Sequence, residues 1–246
     1  MTPVSEAVVL MAGSGSRLRG RDEKLLKPLA PILGRPLVCY TIEALVRARI
    51  EKINFVVGYE AERLRAGVKE LVPSTIEARF IENFEWQKQN GISLLAAAGA
   101  VSGPFVLTMS DHLFDQTIVD LLKRSADVDL LNLAVDRKIE SIFDLDDAMK
   151  VQTRDGKVTA IGKNLREYDA IDTGLFICSP EIFDYLERAK QNRDCSLADG
   201  VRLMAEANKV CAIDVGDAWW HDVDTPEMFK HAEDALAERL AAKPAK

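Results

Sequence analysis

The chain has 246 residues, of which 48% are hydrophobic and 29% are charged, with a net charge of −7 at neutral pH. This composition is typical of a folded globular protein, and the length allows one large α/β domain or two small ones. Binding to nucleic acid is disfavoured, because a duplex binder needs a broad excess of lysine and arginine, and no apolar run approaches the ~20 residues that insertion into a membrane requires.

The first half of the chain alternates short apolar runs with amphipathic segments. Strands are predicted at 6–11, 53–57, 76–81, 105–109 and 129–135, and helices at 36–49, 60–71, 91–101 and 115–124. Strands that alternate with helices form βαβ units. We therefore expect an α/β, Rossmann-like fold with a mostly parallel, mixed sheet that is flanked by helices.

The alternation changes after about residue 142. Asp155-Gly156 predicts a β-hairpin between the runs 148–153 and 157–161. Later strands are expected at 173–178 and 209–215. Helices are expected after Pro180, from a capping box at Ser196 and Asp199 onwards, and at 225–242, where Phe229, Ala232, Leu236 and Leu240 share one side. These segments predict a single domain over 1–246, with a small β-rich subdomain formed by the later strands.

The first strand ends in a glycine-rich loop, Gly13-Ser14-Gly15-Ser16-Arg17, and Lys24 and Lys27 follow it. A buried strand that opens into such a loop leaves unpaired backbone N–H groups beside positive charge, which suits the phosphates of a nucleotide. The P-loop pattern is absent, and Leu18 occupies the position where the dinucleotide fingerprint needs its third glycine. The alternative is an ordinary glycine-rich turn with solvated basic side chains.

Carboxylates follow two later strand-like runs. Asp111 comes directly after the run 105–109, and Asp222 and Asp224 precede the final helix. Ligands of open α/β sheets bind at the carboxyl ends of the strands, where these acids would repel a phosphate unless a cation lay between them. Mg²⁺ is held by one or two carboxylates plus substrate phosphates, so Asp111 and Asp222 are the predicted metal ligands. Alternatively, Asp111 or Asp224 could cap the helix that follows it.

These features resemble the sugar-nucleotide transferases, a family of NTP-dependent nucleotidyltransferases. Their usual pattern is L-A-A-G-x-G-[ST]-R followed by K-P-L, and this chain departs from it only at Met11. Further strings are similar to one branch, the CTP:inositol-1-phosphate cytidylyltransferases, over about residues 8–232. Those strings are Asn90-Gly91-Ile92-Ser93-Leu94-Leu95, Met109-Ser110-Asp111-His112, Ile161-Gly162-Lys163-Asn164-Leu165-Arg166-Glu167-Tyr168-Asp169, Asp172-Thr173-Gly174 and Trp220-His221-Asp222-Val223-Asp224-Thr225.

The resemblance implies a role for each matching residue. It makes about 1–140 the nucleotide-binding half and about 141–225 the acceptor-binding half. The catalytic residues would be Arg17, Lys27, Asp111 and Asp222. The nucleotide would contact Leu10, Ala12, Gly13, Gly15, Ser16, Arg17, Asn90, Gly91, Ser93 and Asp111. The acceptor would contact Lys27, His112, Lys163, Thr173, Gly174 and Asp224.

The role of Asn90 has a chemical reason, and the role of Lys163 has an alternative. The N4 amino group of cytosine is a donor, so its binding needs an acceptor, which the Asn90 side chain or a nearby carbonyl could supply. Lys163 follows a predicted hairpin strand and could equally be an ordinary exposed lysine.

The implied reaction joins CTP and inositol 1-phosphate to give CDP-inositol and pyrophosphate, with Mg²⁺ as cofactor. Phosphocholine, 2-aminoethylphosphonate or another sugar phosphate remain alternative acceptors. A cationic head group would need aromatic or acidic residues around it, and Trp86, Tyr168, Trp219 and Trp220 are available. The alternative of another class is an inactive homologue that serves as a regulatory subunit.

The cellular setting follows from smaller signals. Four widely spaced cysteines and the absence of a signal peptide favour a reducing cytoplasm. In many members of the resembled family, this domain is fused to a membrane-embedded phosphotransferase domain. Since this chain ends at Lys246, we expect a separate membrane CDP-alcohol phosphotransferase to consume the product. No feature of the sequence predicts an oligomeric state.

Overall fold

A computed structural model describes residues 4–19 and 24–242 of the chain. The elements follow the predicted order closely. They are β1 (Glu6–Leu10), α1 (Ser16–Arg19), β2 (Pro31–Ile32), β3 (Arg35–Pro36), α2 (Leu37–Arg47), β4 (Lys52–Val57), α3 (Ala61–Lys69), β5 (Glu77–Glu82), α4 (Asn90–Ala96), β6 (Phe105–Met109), β7 (His112–Phe114), α5 (Gln116–Ser125), β8 (Leu131–Asp136), β9 (Lys150–Arg154), β10 (Lys157–Gly162), β11 (Ala170–Cys178), α6 (Glu181–Ala189), α7 (Leu197–Glu206), β12 (Val210–Asp214), β13 (Trp220–Asp222) and α8 (Pro226–Ala242). The sequence places five cations between Arg17 and Lys27, and one of them, Arg21, lies outside the described residues.

Within the described residues, nine strands form one mixed sheet in the order β5-β4-β1-β6-β11-β8-β12-β10-β9. The neighbours β5, β4, β1 and β6 pair in parallel, and so do β8 and β12. β11 runs antiparallel to both β6 and β8, and the hairpin β9–β10 is antiparallel. The α/β fold with a mixed sheet is confirmed, and the predicted parallel pairing applies mainly to the first half. The later strands extend the same sheet.

Two apolar cores cover the two faces of this sheet. Val8 and Leu10 of β1 pack in the core that α4, α6 and α7 cover. The alternate residues Ala7 and Val9 pack in the core that α2, α3 and α5 cover. Because both faces of β1 are buried, its residues form one continuous apolar run, as is usual for a central parallel strand.

A third, smaller core attaches the last helix to the region that follows the glycine loop. It contains Leu18, Ala30, Ile32, Leu37, Leu113, Val223, Ala232 and Leu236. Leu240 does not belong to the buried side of α8 as predicted, since it is 51% exposed. The reason is that α8 docks through its first turns and extends beyond the core. This attachment positions the segment 222–225 above the carboxyl ends of the parallel strands.

Several local predictions are confirmed and one helix is shorter than predicted. Ser196 and Asp199 form the capping box of α7, and Asp155-Gly156 turns the β9–β10 hairpin with both residues at positive φ. The helix predicted at 91–101 ends at Ala96 and continues as a single 3-10 turn over Ala98–Ala100, since Gly99 and the following Gly103-Pro104 disfavour a longer helix. In the described part of the chain, no helix combines the length and apolarity needed to cross a membrane.

Candidate active site

The glycine loop and the first predicted carboxylate meet because their strands are parallel neighbours. β1 pairs with both β4 and β6, so the loop after Leu10 and the turn after Met109 emerge at the same edge of the sheet. The Ser110 amide donates to the Leu10 carbonyl at 3.0 Å, and the Tyr59 amide donates to the Ala12 carbonyl at 2.8 Å. These bonds anchor both ends of the site to rigid strands.

Gly15 is required by both its conformation and its surroundings. Its φ is +62°, in the left-handed region that favours glycine. A Cβ at this position would lie 2.6 Å from the Cβ of Lys27, a distance that no side chain tolerates. The glycine therefore lets the loop lie directly against the Lys27 side chain.

A cavity of about 370 Å³ lies beneath the glycine loop. Its lining includes nearly all the residues that the sequence predicts for nucleotide binding, namely Leu10, Ala12, Gly13, Gly15, Ser16, Arg17, Asn90, Ser93 and Asp111. Lys27, His112 and Asp224 line it as well. Residues that are separated by more than 200 positions in the chain thus share one cavity, which we call the loop cavity.

Lys27 is the central cation of the loop cavity. Its side chain is 9% exposed, and its Nζ lies 2.6 Å from Asp111 Oδ2 and 2.5 Å from Asp224 Oδ1. Burial alone would lower the pKa of Lys27, but the two carboxylates raise it overall. Burial likewise opposes ionisation of Asp111, yet Lys27 and His112 hold the pKa of Asp111 well below its usual range. The two groups are therefore both charged at neutral pH.

A second cavity of about 210 Å³ adjoins the first. The predicted acceptor residues Lys163 and Gly174 line it, together with Asp222. Four residues line both cavities: Asn90, Met109, His112 and Asp224. The second cavity, which we call the acceptor cavity, therefore opens beside the loop cavity at the level of His112 and Asp224.

Asp222 is brought to Asp111 by a short strand pair that joins distant parts of the chain. β13 pairs antiparallel with β7, which places Asp222 opposite His112, and the Val223 amide donates to the Asp111 carbonyl at 3.0 Å. Burial raises the pKa of Asp222, and the negative charges of Asp224 and Asp111 raise it further, while His112 offsets part of the shift. Asp222 forms no ion pair with any described residue, so the site has a negative charge without a fixed counter-charge.

His112 links the two cavities. Its Nδ1 lies 2.8 Å from Asp111 Oδ1, and its Nε2 packs so closely on Gly174 that a Cβ there would lie 2.3 Å from it. Gly174 also has a φ of +73°, so glycine is required at this position. Burial would lower the pKa of His112, but the hydrogen bond to Asp111 and the nearby carboxylates raise it overall.

Asp147 belongs to the site but was not predicted from the sequence. Its Oδ2 accepts from Arg17 NH1 at 2.8 Å, and its Oδ1 accepts from Lys163 Nζ. Arg17 also donates to Asp224 at 2.7 Å. Burial opposes ionisation of Asp147, but Lys163 and Arg17 lower its pKa. Because Asp147 lies in the irregular segment between β8 and β9, no motif or periodicity marks it.

These contacts bear on the alternatives that the sequence leaves open. Lys163 is half-exposed, yet it is ion-paired with Asp147 at the acceptor cavity. Asp224 does not cap α8, since the hydroxyl of Thr225 accepts from the Met228 amide at 3.2 Å. Asp111 pairs with Lys27 and His112 rather than with the start of α5.

Two predicted contact residues lie away from the cavities. Gly91 and Thr173 are absent from the described lining of either cavity. A Cβ at Gly91 would lie 2.6 Å from the Cys195 carbonyl oxygen, so this glycine serves the packing of α4 against the start of α7. Thr173 is buried and its hydroxyl donates to the Ala134 carbonyl at 2.9 Å. Both residues thus stabilise the elements that carry the site.

The polar side chains of Asn90 and Ser93 also have partners within the protein. Asn90 Oδ1 accepts from the Leu197 amide at 2.8 Å, and Ser93 Oγ accepts from Asn83 Nδ2 at 3.0 Å. An amide oxygen has two lone pairs, so Asn90 Oδ1 keeps the capacity to accept a second hydrogen bond. The two acceptors expected for the N4 group of cytosine, the Asn90 side chain and a nearby carbonyl, both stay predictions.

Comparisons with known proteins identify the family of the chain. The family model of the MobA-like NTP transferase domain matches residues 7–171. The chain is 36% identical over 240 residues to the bifunctional IPC transferase and DIPP synthase of Thermococcus kodakarensis, with 96% of this chain and 51% of that protein covered. It is 32% identical over 237 residues to the protein of the same name from Aquifex aeolicus, with 96% and 52% covered. The chain thus spans about half the length of these curated relatives.

A solved structure covers the whole chain. The inositol-1-phosphate CTP transferase from T. maritima superposes with a TM-score of 0.86 at 25% sequence identity, over 99% of each chain. The arrangement of strands and helices described above is therefore shared over their full lengths.

Proposed function

The chain belongs to the MobA-like NTP transferase family, and we propose that it is a cytidylyltransferase that joins CTP and inositol 1-phosphate to give CDP-inositol and pyrophosphate. One observation carries the proposal: the loop cavity and the acceptor cavity share His112 and Asp224 as lining residues. A nucleotide triphosphate in the first and a phosphorylated alcohol in the second would meet at this shared wall. The names of the relatives and of the T. maritima structure supply the choice of CTP and inositol 1-phosphate.

The reaction is an in-line displacement at the α-phosphorus of CTP. A phosphate oxygen of the acceptor forms the new bond to the α-phosphorus, the bond from this atom to the bridging oxygen of the β-phosphate breaks, and pyrophosphate leaves. A phosphate monoester has its second pKa near ~6, so the attacking oxygen is ionised at neutral pH and needs no general base. The work left to the protein is positioning and charge stabilisation.

Lys27 and Arg17 are the cations that supply this stabilisation. Lys27 projects into the loop cavity and Arg17 lines the same wall. In the absence of substrate each is held by carboxylates, Lys27 by Asp111 and Asp224 and Arg17 by Asp147 and Asp224. These contacts hold the cations at the rim of the site before substrate arrives, so little reorganisation is needed when phosphates replace the carboxylates.

The residues present also fit a magnesium ion. Asp111 and Asp222 would hold it, and when bound it would neutralise charge on the triphosphate. Mg²⁺ needs only one or two protein carboxylates beside substrate phosphates, so the lack of a cluster of three or more potential ligand side chains among the described residues is no obstacle. The support comes from Asp222, whose partly buried carboxylate forms no ion pair in the described structure while Asp111 and Asp224 raise its pKa.

A cationic acceptor, phosphocholine or 2-aminoethylphosphonate, is the second candidate, because the acceptor cavity is rich in acid groups. Its lining includes Asp144, Asp147, Asp172, Asp222 and Asp224. The described lining contains two aromatic residues, Phe176 and Trp220, and Trp220 Nε1 donates to Asp136 at 2.8 Å; of the aromatic residues named from the sequence, Trp86, Tyr168 and Trp219 are not part of this lining. Carboxylates bind hydroxyl groups as well as cations, so the cavity also suits a polyol.

A matrix of the four nucleotide triphosphates against several acceptors tests the proposal. Pyrophosphate release would be measured with Mg²⁺ and inositol 1-phosphate, glucose 1-phosphate, phosphocholine or 2-aminoethylphosphonate. We expect the highest kcat/KM with CTP and inositol 1-phosphate. A preference for a cationic acceptor would favour the second candidate, and another nucleotide with a sugar phosphate would identify a different transferase. No release with any pair would favour an inactive regulatory homologue, which the presence of Lys27, Asp111 and Asp222 argues against.

The proposal extends to the organisation and setting of the protein. We assign nucleotide binding to about 1–140 and acceptor binding to about 141–225, with Asn90, Met109, His112 and Asp224 shared between the two cavities. All four cysteines are free thiols, which suits a reducing cytoplasm. A CDP-alcohol is an activated donor, so its consumer would be a CDP-alcohol phosphotransferase.

A further inference from the structure

Asp172 is a carboxylate in the wall of the acceptor cavity that the reaction described above does not use. It lies in β11 at the position where the pairing with β8 is interrupted by a bulge. Its Oδ1 accepts from the Gly174 amide at 2.7 Å. Its other oxygen accepts no hydrogen bond from any described residue, and no described lysine or arginine forms an ion pair with it.

A purely structural role explains the turn but not the charge. Aspartate and asparagine both accept a hydrogen bond from the amide two residues ahead, so asparagine would serve the turn equally well. The carboxylate carries a cost, since burial raises the pKa of Asp172 to about 6, although the Gly174 amide and the nearby His112 favour its charged form. A charge retained at such a cost in a cavity wall points to a ligand group that needs it.

The chain contains a matched turn where this cost does not arise. Asp214 accepts from the Gly216 amide at 2.9 Å, and Gly216 has a φ of +58°, much as Gly174 has +73°. Asp214, however, is exposed, and its second oxygen lies 3.5 Å from Arg137 Nε. The same local geometry is therefore found once in solvent with a partner and once in the acceptor cavity without one.

We propose that Asp172 is a specificity-determining residue that accepts hydrogen bonds from hydroxyl groups of a polyol phosphate in the acceptor cavity. This inference rests on the proposed function and names the side chain that would recognise the hydroxyl groups of the acceptor. The same cavity supplies Lys163 for the acceptor phosphate, and Ile161, Phe176 and Val201 line it with apolar surface. A carboxylate in such surroundings forms charge-assisted hydrogen bonds, which are stronger than neutral ones.

The test compares Asp172→Asn with the wild type and with a control, Asp214→Asn. The control makes the same substitution in a separate turn of the same kind, which lies outside both cavities. Steady-state kinetics with CTP, Mg²⁺ and inositol 1-phosphate would give both KM values. We expect Asp172→Asn to raise the KM for inositol 1-phosphate roughly 10- to 100-fold, as the loss of a charged hydrogen-bond partner does. The KM for CTP should change less than about twofold, and Asp214→Asn should behave as the wild type does. An unchanged acceptor KM in Asp172→Asn, or an equal rise in both KM values, would overturn the proposal.

Monodeoxy analogues of inositol 1-phosphate identify the hydroxyl that is read. For the analogue that lacks it, wild type and Asp172→Asn should have the same kcat/KM, whereas the other analogues should still distinguish them. If every analogue distinguishes the two proteins equally, or if the wild type prefers phosphocholine and only that preference is lost in the variant, the polyol assignment is wrong.

A binding measurement keeps this inference separate from the proposed function. If the wild type releases no pyrophosphate with any pair of substrates, it is the proposed function that fails. Calorimetric titration of inositol 1-phosphate into the wild type and Asp172→Asn would then still decide the matter. Weaker binding to the variant alone supports the role of Asp172, and equal binding or none to either protein contradicts it.

Discussion

Lys27 Nζ lies 2.6 Å from Asp111 Oδ2 beneath the glycine loop. The pair joins the cation proposed for phosphate binding to a carboxylate proposed for magnesium. Each group therefore neutralises the other until substrate and metal arrive, when Lys27 can turn to a phosphate and Asp111 to the ion. The exchange keeps the charges of Lys27 and Asp111 paired, which matters because an unpaired charge in a site of this burial is costly.

Replacing Lys27 by alanine should lower kcat by about 10²–10³, the loss expected when one preorganised charge partner is removed. The variant should also unfold at a lower temperature in the absence of magnesium, because Asp111 and Asp224 lose their shared cation. Initial rates and circular dichroism measure the two effects. Lys230→Ala, an exposed change on α8 away from both cavities, is the control. Near-normal turnover of Lys27→Ala would remove Lys27 from the mechanism.

Asp111→Asn keeps the size of the side chain but removes the charge that the metal would need. We expect it to abolish activity in magnesium, and Asp222→Asn to raise the magnesium concentration needed for half-maximal rate at least about tenfold. Pyrophosphate release over a magnesium titration, with a chelator as the zero point, checks both. Full activity of Asp111→Asn would show that this carboxylate is not a metal ligand.

Asp147→Asn tests whether the shared partner of Arg17 and Lys163 competes with substrate. The substitution removes one negative charge from the rim, so the approach of a polyanionic nucleotide should become easier. We expect the KM for CTP to fall by roughly two- to fivefold, with kcat nearly unchanged. Steady-state rates at two ionic strengths measure this, and the gain should shrink at the higher one. A higher KM instead would mean that Asp147 holds the two cations in place while substrate is bound.

Asp172→Asn should make the folded protein more stable at neutral pH. The pKa of Asp172 is raised from 3.8 to about 6 on folding, so the native state binds a proton more tightly than the unfolded state. The tighter binding of this proton stabilises the folded protein below pH 4. That stabilisation is lost as the pH rises through about 6, and it is absent at pH 7.5. At 1.36 kcal/mol per pKa unit the gain in the variant is at most roughly 3 kcal/mol, less where solvent screens the charge.

Urea unfolding at pH 4 and pH 7.5, in the presence of a chelator, measures this difference. The variant should be about as stable as the wild type at the lower pH and more stable at the higher one, whereas Asp214→Asn should show no such change. A difference between Asp172→Asn and the wild type that is independent of pH would contradict the assignment. With the kinetic test above, the expected result is a protein that is more stable and binds its acceptor less well.

The residues whose role depends on local structure could be predicted from the sequence. The apolar run of β1, the glycine at position 15, the Asp155-Gly156 turn and the Ser196 capping box each follow from rules that act within a few residues. The resemblance to nucleotidyltransferases depends on the same short strings. This is why the predicted nucleotide residues, apart from Gly91, line one cavity.

The residues whose role depends on distant contacts could not be assigned in this way. β11 enters between β6 and β8 against their direction, so the acceptor half continues the same sheet. Gly91 and Thr173, which the resemblance places in contact with substrate, pack beside the cavities and are absent from their described lining, and the Asn90 oxygen accepts from the Leu197 amide. Asp147 carries no sequence signal, because its partners Arg17 and Lys163 lie on other elements. Asp172 belongs to one of the family strings, but only the tertiary structure shows that it lines the acceptor cavity.

The sequence by itself thus determined the order of strands and helices, the phosphate loop and the identity of the candidate ligands. Only the tertiary structure decided that β7 pairs with β13 and so brings Asp222 beside Asp111, and which polar side chains are left without a partner in the acceptor cavity. The physical reason is the separation in sequence of the residues that interact. Turns, caps and hydrophobic periodicity depend on residues that are near neighbours in the chain. The pairing of strands 108 positions apart, by contrast, depends on how the whole core packs.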